Sequence, residues 1–565
     1  MAGKNVGTSG NKPAWWRKPP AIYLLVVLVL TLPLLRPGYI FGLDMIFTPT
    51  LAMPTGLSHS YLLYAMLHML NVVLPAMFIQ KILLLGTLLL AGLGAHKLIE
   101  YARPAAADKR LWRWAAYFGG ILYLCNPFTY TRFMVGQYEV LLGYALLPFF
   151  ALLMWRFFRS PNWKRALALA ACAVAISIVS IHTLGMAAIL AAVFLVGFIW
   201  QRWRDRDWLI STAKWLGLAL LTVIIASSYW LVPLMRGDGA TSDSIANFTV
   251  EDRVAFETSP GELGLVGNVL ALQGFWGDDK NLYLLPQDTM AMWWIPSAGL
   301  WLLVLVGAVW SWRQRRTYAL LFGTILLAGT VLAIGTAGTI FAGFNGWLFD
   351  NVPLFAGYRE PQKFAALIAL AYAFFGGAGV YWLATRIRLP ENRKLVAVSL
   401  LLPFACAPLF IGGGTGQLEV GDYPKGWYTA NRILAERGAE QDKTLFLPWH
   451  LYMPYGFAGD VMASPASRFF TSTSILSSRN PELKNAHSYT TNPNVQRLDQ
   501  NILPAAENNN RLVLDLNTLH IRYILLTKDF DYADYSYLDS KPGITLLHED
   551  NDIKLYSVET IEGGR

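Results

Sequence analysis

Residues 166–200 read ALALAACAVAISIVSIHTLGMAAILAAVFLVGFIW. A bilayer-spanning helix takes about 20 residues, fewer where its end is buried in protein. This run is too long for one span and fits two short ones. Ser180, His182 and Gly185 interrupt it at SIHTLG, which divides it into spans at 166–181 and 185–200. The division matters beyond the run itself, because a single span here inverts every later loop.

Composition points the same way. The 565 residues are 55% hydrophobic and 15% charged, with a mean hydropathy of +0.38. Soluble domains carry roughly a quarter charged residues. Working outward from 166–200, further spans are expected at 21–41, 76–98, 114–127, 140–158, 215–235, 292–311, 317–337, 364–383 and 395–411, which makes eleven in all. The chain is therefore expected to be an α-helical polytopic membrane protein. Its basic N-terminus runs into the first span without a small-residue cleavage site and reads as an uncleaved anchor.

The connections alternate in charge. One set carries Lys4, Lys12, Arg17 and Lys18, then Arg103, Lys109, Arg110 and Arg113, then Arg159, Lys164 and Arg165. It continues through Arg202, Arg204, Arg206 and Lys214, then Arg313, Arg315 and Arg316, then Arg386, Arg388, Arg393 and Lys394. By the positive-inside rule this set and the N-terminus are cytoplasmic. The net charge of +9 is thus a topology signal, and no nucleic-acid partner is implied. The other set is longer and poorer in basic residues, which puts the working face outside. The three cysteines, Cys125, Cys172 and Cys406, lie in or beside apolar runs and form neither a disulfide framework nor a zinc spacing.

Past IGGGTG the composition turns polar. TLFLP (444–448), IRYILL (521–526), ITLLH (544–548) and IKLYSV (553–558) read as strands, and GWYTANRILAER (426–437) as an amphipathic helix. The expected organisation is a membrane domain over 1–411 and a small extracytoplasmic α/β domain over 412–565. Trp449 and His450 in this part read as structural, with a sugar contact as the alternative.

Candidate site residues gather in the outer loops. GYIFGLDMIF (38–47) places the carboxylate of Asp44 among apolar neighbours at the membrane edge, where an acid needs a partner or a task. Asp44 reads as a catalytic acid, as a helix cap or as a partner for Arg36. Arg132 and Glu139 stand seven residues apart, two turns if helical. Arg132 suits phosphate, since a guanidinium matches phosphate oxygens bidentately; Glu139 either pairs with it or serves as a second acid. GYREPQKF (357–364) sets Arg359 and Lys363 at the start of an apolar helix, a phosphate-site pattern. His182, and Trp276 in ALQGFWGDD, are candidate substrate contacts, with a structural role as the alternative for each. Asn247-Phe248-Thr249 matches a glycosylation sequon. No Walker, dinucleotide, HExxH or GxSxG motif occurs.

Together, GYIFGLDMIF, NPFTYTRFMVGQYEVLLGYALLP, GYREPQKF and YPKGWYTANRILAE…LFLPWHLYMPY resemble the GT-C class of polyprenyl-phosphate-sugar glycosyltransferases, and within it bacterial arabinofuranosyltransferase D-like proteins. The resemblance implies an outer-face transferase that moves a sugar from a polyprenyl-phosphate donor to a glycan or glycolipid acceptor. It implies a first-loop acid acting as base or metal ligand, carried here by Asp44. No paired acid accompanies Asp44, which leaves a divalent metal open as a cofactor. A glycolipid transporter or flippase and a non-catalytic scaffold for envelope assembly are the alternatives.

Overall fold

The computed structural model describes residues 18–237, 250–338, 340–386, 393–439, 441–480, 482 and 492–561. The sequon at Asn247 and the basic residues Lys4, Lys12, Arg17 and Arg388 lie outside them.

Among the described residues seven helices are long and apolar enough to cross a membrane: Ala76–Tyr101, Tyr138–Arg159, Ile181–Arg202, Arg206–Met235, Trp294–Gln314, Arg316–Ile334 and Pro361–Arg386. An eighth span results if the pair Lys394–Cys406 and Pro408–Thr415, bent by 77°, is counted as one. The remaining expected segments fall on shorter helices, Pro19–Thr31, Lys109–Leu124 and Trp163–Val179. The first expected span ran too far. Helix gives way after Leu35, where Arg36-Pro37-Gly38 intervenes, and Tyr39–Ile40 is a strand.

The run at 166–200 is two helices. Trp163–Val179 stops at Ser180, which is extended at φ −156° and ψ 112°. The Ser180 hydroxyl then accepts from the Thr183 amide at 3.3 Å and caps the helix from Ile181.

The Pro361–Arg386 helix is the axis of the bundle, and its apolar window is wholly buried. It packs against Trp294–Gln314, Lys109–Leu124 and Arg316–Ile334. Small residues permit this. A Cβ at Gly377 would stand 2.7 Å from the Ala115 carbonyl, and one at Gly307 would stand 2.7 Å from the Gly379 nitrogen. Close backbone approach through glycine is a common way to pack helices in lipid, where apolar burial supplies no net drive. On the periphery, Arg206–Met235 exposes Leu220, Leu221, Ile224 and Ile225, a surface suited to hydrocarbon.

The C-terminal part holds a five-stranded sheet ordered Ser474–Leu476, Lys443–Leu447, Ile521–Thr527, Ile553–Val558, Ile544–Glu549. The first three strands are parallel and the last two antiparallel. Side chains alternate across it. Phe446, Leu525 and Leu555 face a core continuous with the helices, whereas Leu445, Leu447, Ile524 and Leu526 face a second core. The Lys425–Arg437 helix places Trp427 in the first of these. Tyr39–Ile40 pairs antiparallel with Val420–Gly421 and ties the first outer loop to this part.

Candidate active site

Asp44 is held by its backbone before its side chain does anything. The Gln80 amide brackets Ile40, accepting from its N–H at 2.9 Å and donating to its carbonyl at 2.6 Å. Four residues on, the Asp44 amide donates to the Val135 carbonyl at 2.9 Å. The close pass between these segments needs glycine: Gly136 has φ +78°, and a Cβ there would stand 2.6 Å from the Met45 nitrogen. The Asp44 carboxylate then accepts from Gln137 Nε2 at 3.0 Å. Neither structural alternative for Asp44 holds. No helix starts at Asp44, and Arg36 Nε donates to the Pro33 carbonyl.

Behind Gln137 lies a buried ionic cluster. Arg132 Nη1 donates to Gln137 Oε1 at 2.6 Å and to Glu360 Oε2 at 2.9 Å. Lys363 Nζ meets Glu360 Oε1 at 3.0 Å. The Arg132 guanidinium also lies 4.5 Å from the Phe275 ring centre. Arg132 and Lys363 therefore spend their charge on Glu360.

The pairing of Arg132 with Glu139 does not form. The helix Pro127–Met134 ends, Gly136 takes a left-handed conformation, and a new helix begins at Tyr138. The two-turn spacing is thereby broken. Glu139 instead accepts from the Tyr64 hydroxyl at 2.5 Å, with Arg468 5.6 Å from the Tyr64 ring centre.

A cavity of about 320 Å³ opens beside Asp44. Its polar wall is Asp44, Gln137, Lys280, Arg359, Glu360 and Glu482, and its apolar wall includes Phe256, Trp276 and Leu282. Leu451, Tyr452 and Met462 enter from the C-terminal part. Of the residues expected from sequence, Asp44, Arg359 and Trp276 thus meet in one cavity. Arg132 and Lys363 adjoin it through Glu360, while Glu139 and His182 do not line it. His182 is bonded to the 357–358 turn: its Nε2–H donates to the Gly357 carbonyl at 3.0 Å, and Tyr358 donates to the His182 carbonyl at 2.8 Å. Those bonds hold the turn that carries Arg359. Trp449 and His450 are engaged too, Trp449 Nε1 with Asp499 and His450 with Glu482 and Asp531. Sequence reasoning missed Gln137, Lys280, Tyr452 and Glu482. The first three stand inside or next to stretches already singled out, FMVGQYE, GFWGDDK and LFLPWHLYMPY.

The electrostatics follow from this layout. Burial and then the Glu360 charge push the Asp44 carboxyl up, partly offset by the Gln137 hydrogen bond, Lys363 and Arg359. Burial also pushes Glu360 up, but Lys363, Arg132 and Arg359 outweigh it and hold that carboxyl well below the usual range. The Tyr452 phenol is pushed up by burial and by Asp44. The Trp276 indole N–H is buried with no hydrogen-bond partner among the described residues, a donor left beside the cavity. Glu360 is committed to two cations, and Lys280 and Arg359 line the same wall. This donor set does not fit a divalent cation. Among the described residues no three His, Cys, Asp or Glu side chains are grouped to hold one.

No family model and no curated protein matches the sequence. Among solved structures, the chain superposes on arabinofuranosyltransferase AftD from mycobacteria with a TM-score of 0.63 at 14% identity. The fold resembles that of AftD. The match covers 96% of this chain and 40% of AftD. A mutant of AftD gives a TM-score of 0.61 at 13% identity, covering 96% of this chain and 41% of that one. This chain spans about two fifths of AftD's length, and at such identity the likeness is one of fold. The resemblance carried by the four motifs therefore holds for the architecture, and the chemistry is argued from this chain's own residues.

Proposed function

We propose that the chain is a membrane glycosyltransferase that moves a sugar from a polyprenyl-phosphate donor to a cell-envelope glycan or glycolipid acceptor on the extracytoplasmic face. The observation that carries this reading is the meeting of Asp44 with Arg359 and Lys280 in one cavity of an AftD-like fold. A carboxylate with raised proton affinity is a better base. Asp44 takes the proton from an acceptor hydroxyl as the acceptor oxygen bonds to the anomeric carbon. The bond from that carbon to the phosphate oxygen breaks, and the charge left on phosphate is met by Arg359 and Lys280. Arg132 and Lys363 support this site through Glu360 and are replaced by Lys280 as phosphate contact. Trp276 offers its ring to the sugar. A lipid-linked donor accounts for a site without a nucleotide motif. In this reading residues 1–411 hold the lipid and 412–565 close the cavity through Tyr452 and Glu482.

Transfer from polyprenyl-phosphate-linked sugars is to be measured for wild type and Asp44→Asn reconstituted in liposomes. Loss of a general base costs about 10²–10⁴-fold in rate, and folded yield should stay normal. Normal transfer by Asp44→Asn would sink the assignment.

A further inference from the structure

Gln137 is a neutral residue among charges, and its bonding leaves it no freedom. A guanidinium donates and cannot accept. The side of the amide facing Arg132 Nη1 at 2.6 Å must therefore be the carbonyl oxygen. Its NH₂ group then points the other way, and both protons are used, one on Asp44 Oδ2 at 3.0 Å and one on Glu360 Oε2 at 3.3 Å. Flipping the amide would aim an oxygen at two carboxylates and a donor at a donor. Arg132 is itself fixed: it is 1% exposed, bound to Glu360 and stacked on Phe275.

We propose that Gln137, locked in one orientation by Arg132, is a positioning residue for Asp44 that occupies Oδ2 and fixes the plane of the carboxylate. The chain of contacts runs from a permanent cation, through an amide, to the acid. Removing the amide leaves the carboxylate with one donor fewer and Oδ2 without its fixed partner, while Tyr452 still bonds to it. The other groups acting on Asp44 stay in place. Glu360, Lys363 and Arg359 belong to the 357–364 turn, and Tyr452 to the C-terminal part. Glu139 acts from the helix after Gln137, and Lys280 and Glu482 lie across the cavity. A residue that merely filled space at 137 would be replaced by leucine without effect on how Asp44 binds its proton.

The experiment titrates Asp44 directly in the full chain in detergent micelles. A carbodiimide with glycine ethyl ester labels the protonated carboxyl, and peptide mass spectrometry reads labelling against pH for wild type and Gln137→Leu. Asp529, a half-buried acid of the C-terminal part, is the internal control. The Asp44 midpoint is expected to rise by about one to two pH units, the size of one hydrogen bond to a charged group. The Asp529 midpoint should not move. Gln137→Asn, which keeps the amide but shortens its reach, should shift Asp44 in the same direction by less; this variant decides if Gln137→Leu fails to fold. An unmoved Asp44 midpoint in a folded variant overturns the proposal. The significance for transfer rests on Asp44 being the base, but the labelling needs no substrate. Normal transfer by Asp44→Asn would refute Asp44 as the base alone, absence of transfer by wild type would refute the glycosyltransferase reading, and an unmoved midpoint would refute this inference alone.

Discussion

Lys363 and Lys280 differ in what their charges face. Lys363 is 5% exposed and bound to Glu360, whereas Lys280 is exposed and reaches Asp279 only at 3.6 Å. Breaking a buried ion pair is costly, and Lys363→Ala removes one of the two cations on Glu360 while Arg132 keeps its contact at 2.9 Å. Lys363→Ala should therefore melt clearly below wild type. Lys280→Ala should melt within about 0.5 kcal/mol of wild type, yet lose donor use by roughly tenfold or more, the worth of one charged hydrogen bond. Thermal melting and transfer rate on the same preparations separate the two. An unstable Lys280→Ala with unimpaired donor use would make Lys280 structural and not a phosphate contact. Asp44 adds a second expectation. Its folded pKa lies above the unfolded one, so the native state holds the extra proton and stability falls as pH rises through that window. Asp44→Asn removes this slope and still accepts from Gln137, so at neutral pH it should melt no lower than wild type. A clearly lower melting temperature would show that the carboxylate stabilises the fold.

At the scale of elements, the segment after Lys443–Leu447 is held by Trp449, bonded to Tyr535 and Asp499, and by His450. His450 Nδ1 faces Glu482 Oε1 at 2.6 Å and Nε2 faces Asp531 Oδ2 at 3.0 Å. Carboxylates accept only, so both ring nitrogens carry protons. Burial alone would lower its pKa, but hydrogen bonds to Asp531 and Glu482 outweigh it and raise the value. The contribution to stability is full below the unfolded histidine value of about 6.5 and is lost as pH rises through the raised folded value. Wild type should thus become easier to cleave by protease near residues 449–452 as pH rises above about 6.5, while His450→Gln should lack that trend. Equal trends in the two proteins would show that the His450 pairs do not hold the segment. The strands Lys443–Leu447, Ile521–Thr527, Ile544–Glu549 and Ile553–Val558 were legible in the sequence because a short apolar run is local, whereas Ser474–Leu476 was not expected; the helices were legible because apolar length is local. The first span was overread because Tyr39, Ile40 and Phe41 are apolar yet pair with, or pack on, a segment near Gly421. The site was legible only in part. Asp44, Arg359 and Trp276 stood out as acid, cation and aromatic. Gln137 carries no charge, and its bonds to Asp44 and Glu360 span 93 and 223 residues, beyond any spacing rule. The Arg132–Glu139 expectation assumed a continuous helix, and Gly136 breaks it.

Across the whole molecule the two kinds of connection gather at opposite ends. Arg156 lies over the Tyr101 ring, Trp155 meets Tyr318 edge to face, and the Trp208 indole donates to the Phe158 carbonyl. These contacts assemble the helix ends next to the basic connections. At the other end, His182 meets Gly357, Tyr130 donates to the Leu284 carbonyl, and Tyr229 donates to that of His59. The Asp44 cavity and the five-stranded sheet lie there with them. Because cytoplasmic loops carry the excess of lysine and arginine, the basic end should face the cytoplasm and the cavity should face outward. Single cysteines test this. Ser160 is exposed between two helices at the basic end, and Ser540 is exposed in the C-terminal part. A membrane-impermeant maleimide applied to intact cells should label Ser540→Cys and spare Ser160→Cys until the membrane is opened. Cys125 and Cys406 are buried and Cys172 is partly so, and wild type supplies their background. The reverse labelling pattern would place the cavity in the cytoplasm, where nucleotide sugars are at hand. The lipid-linked donor would then lose its main support, even if Asp44 remained the base.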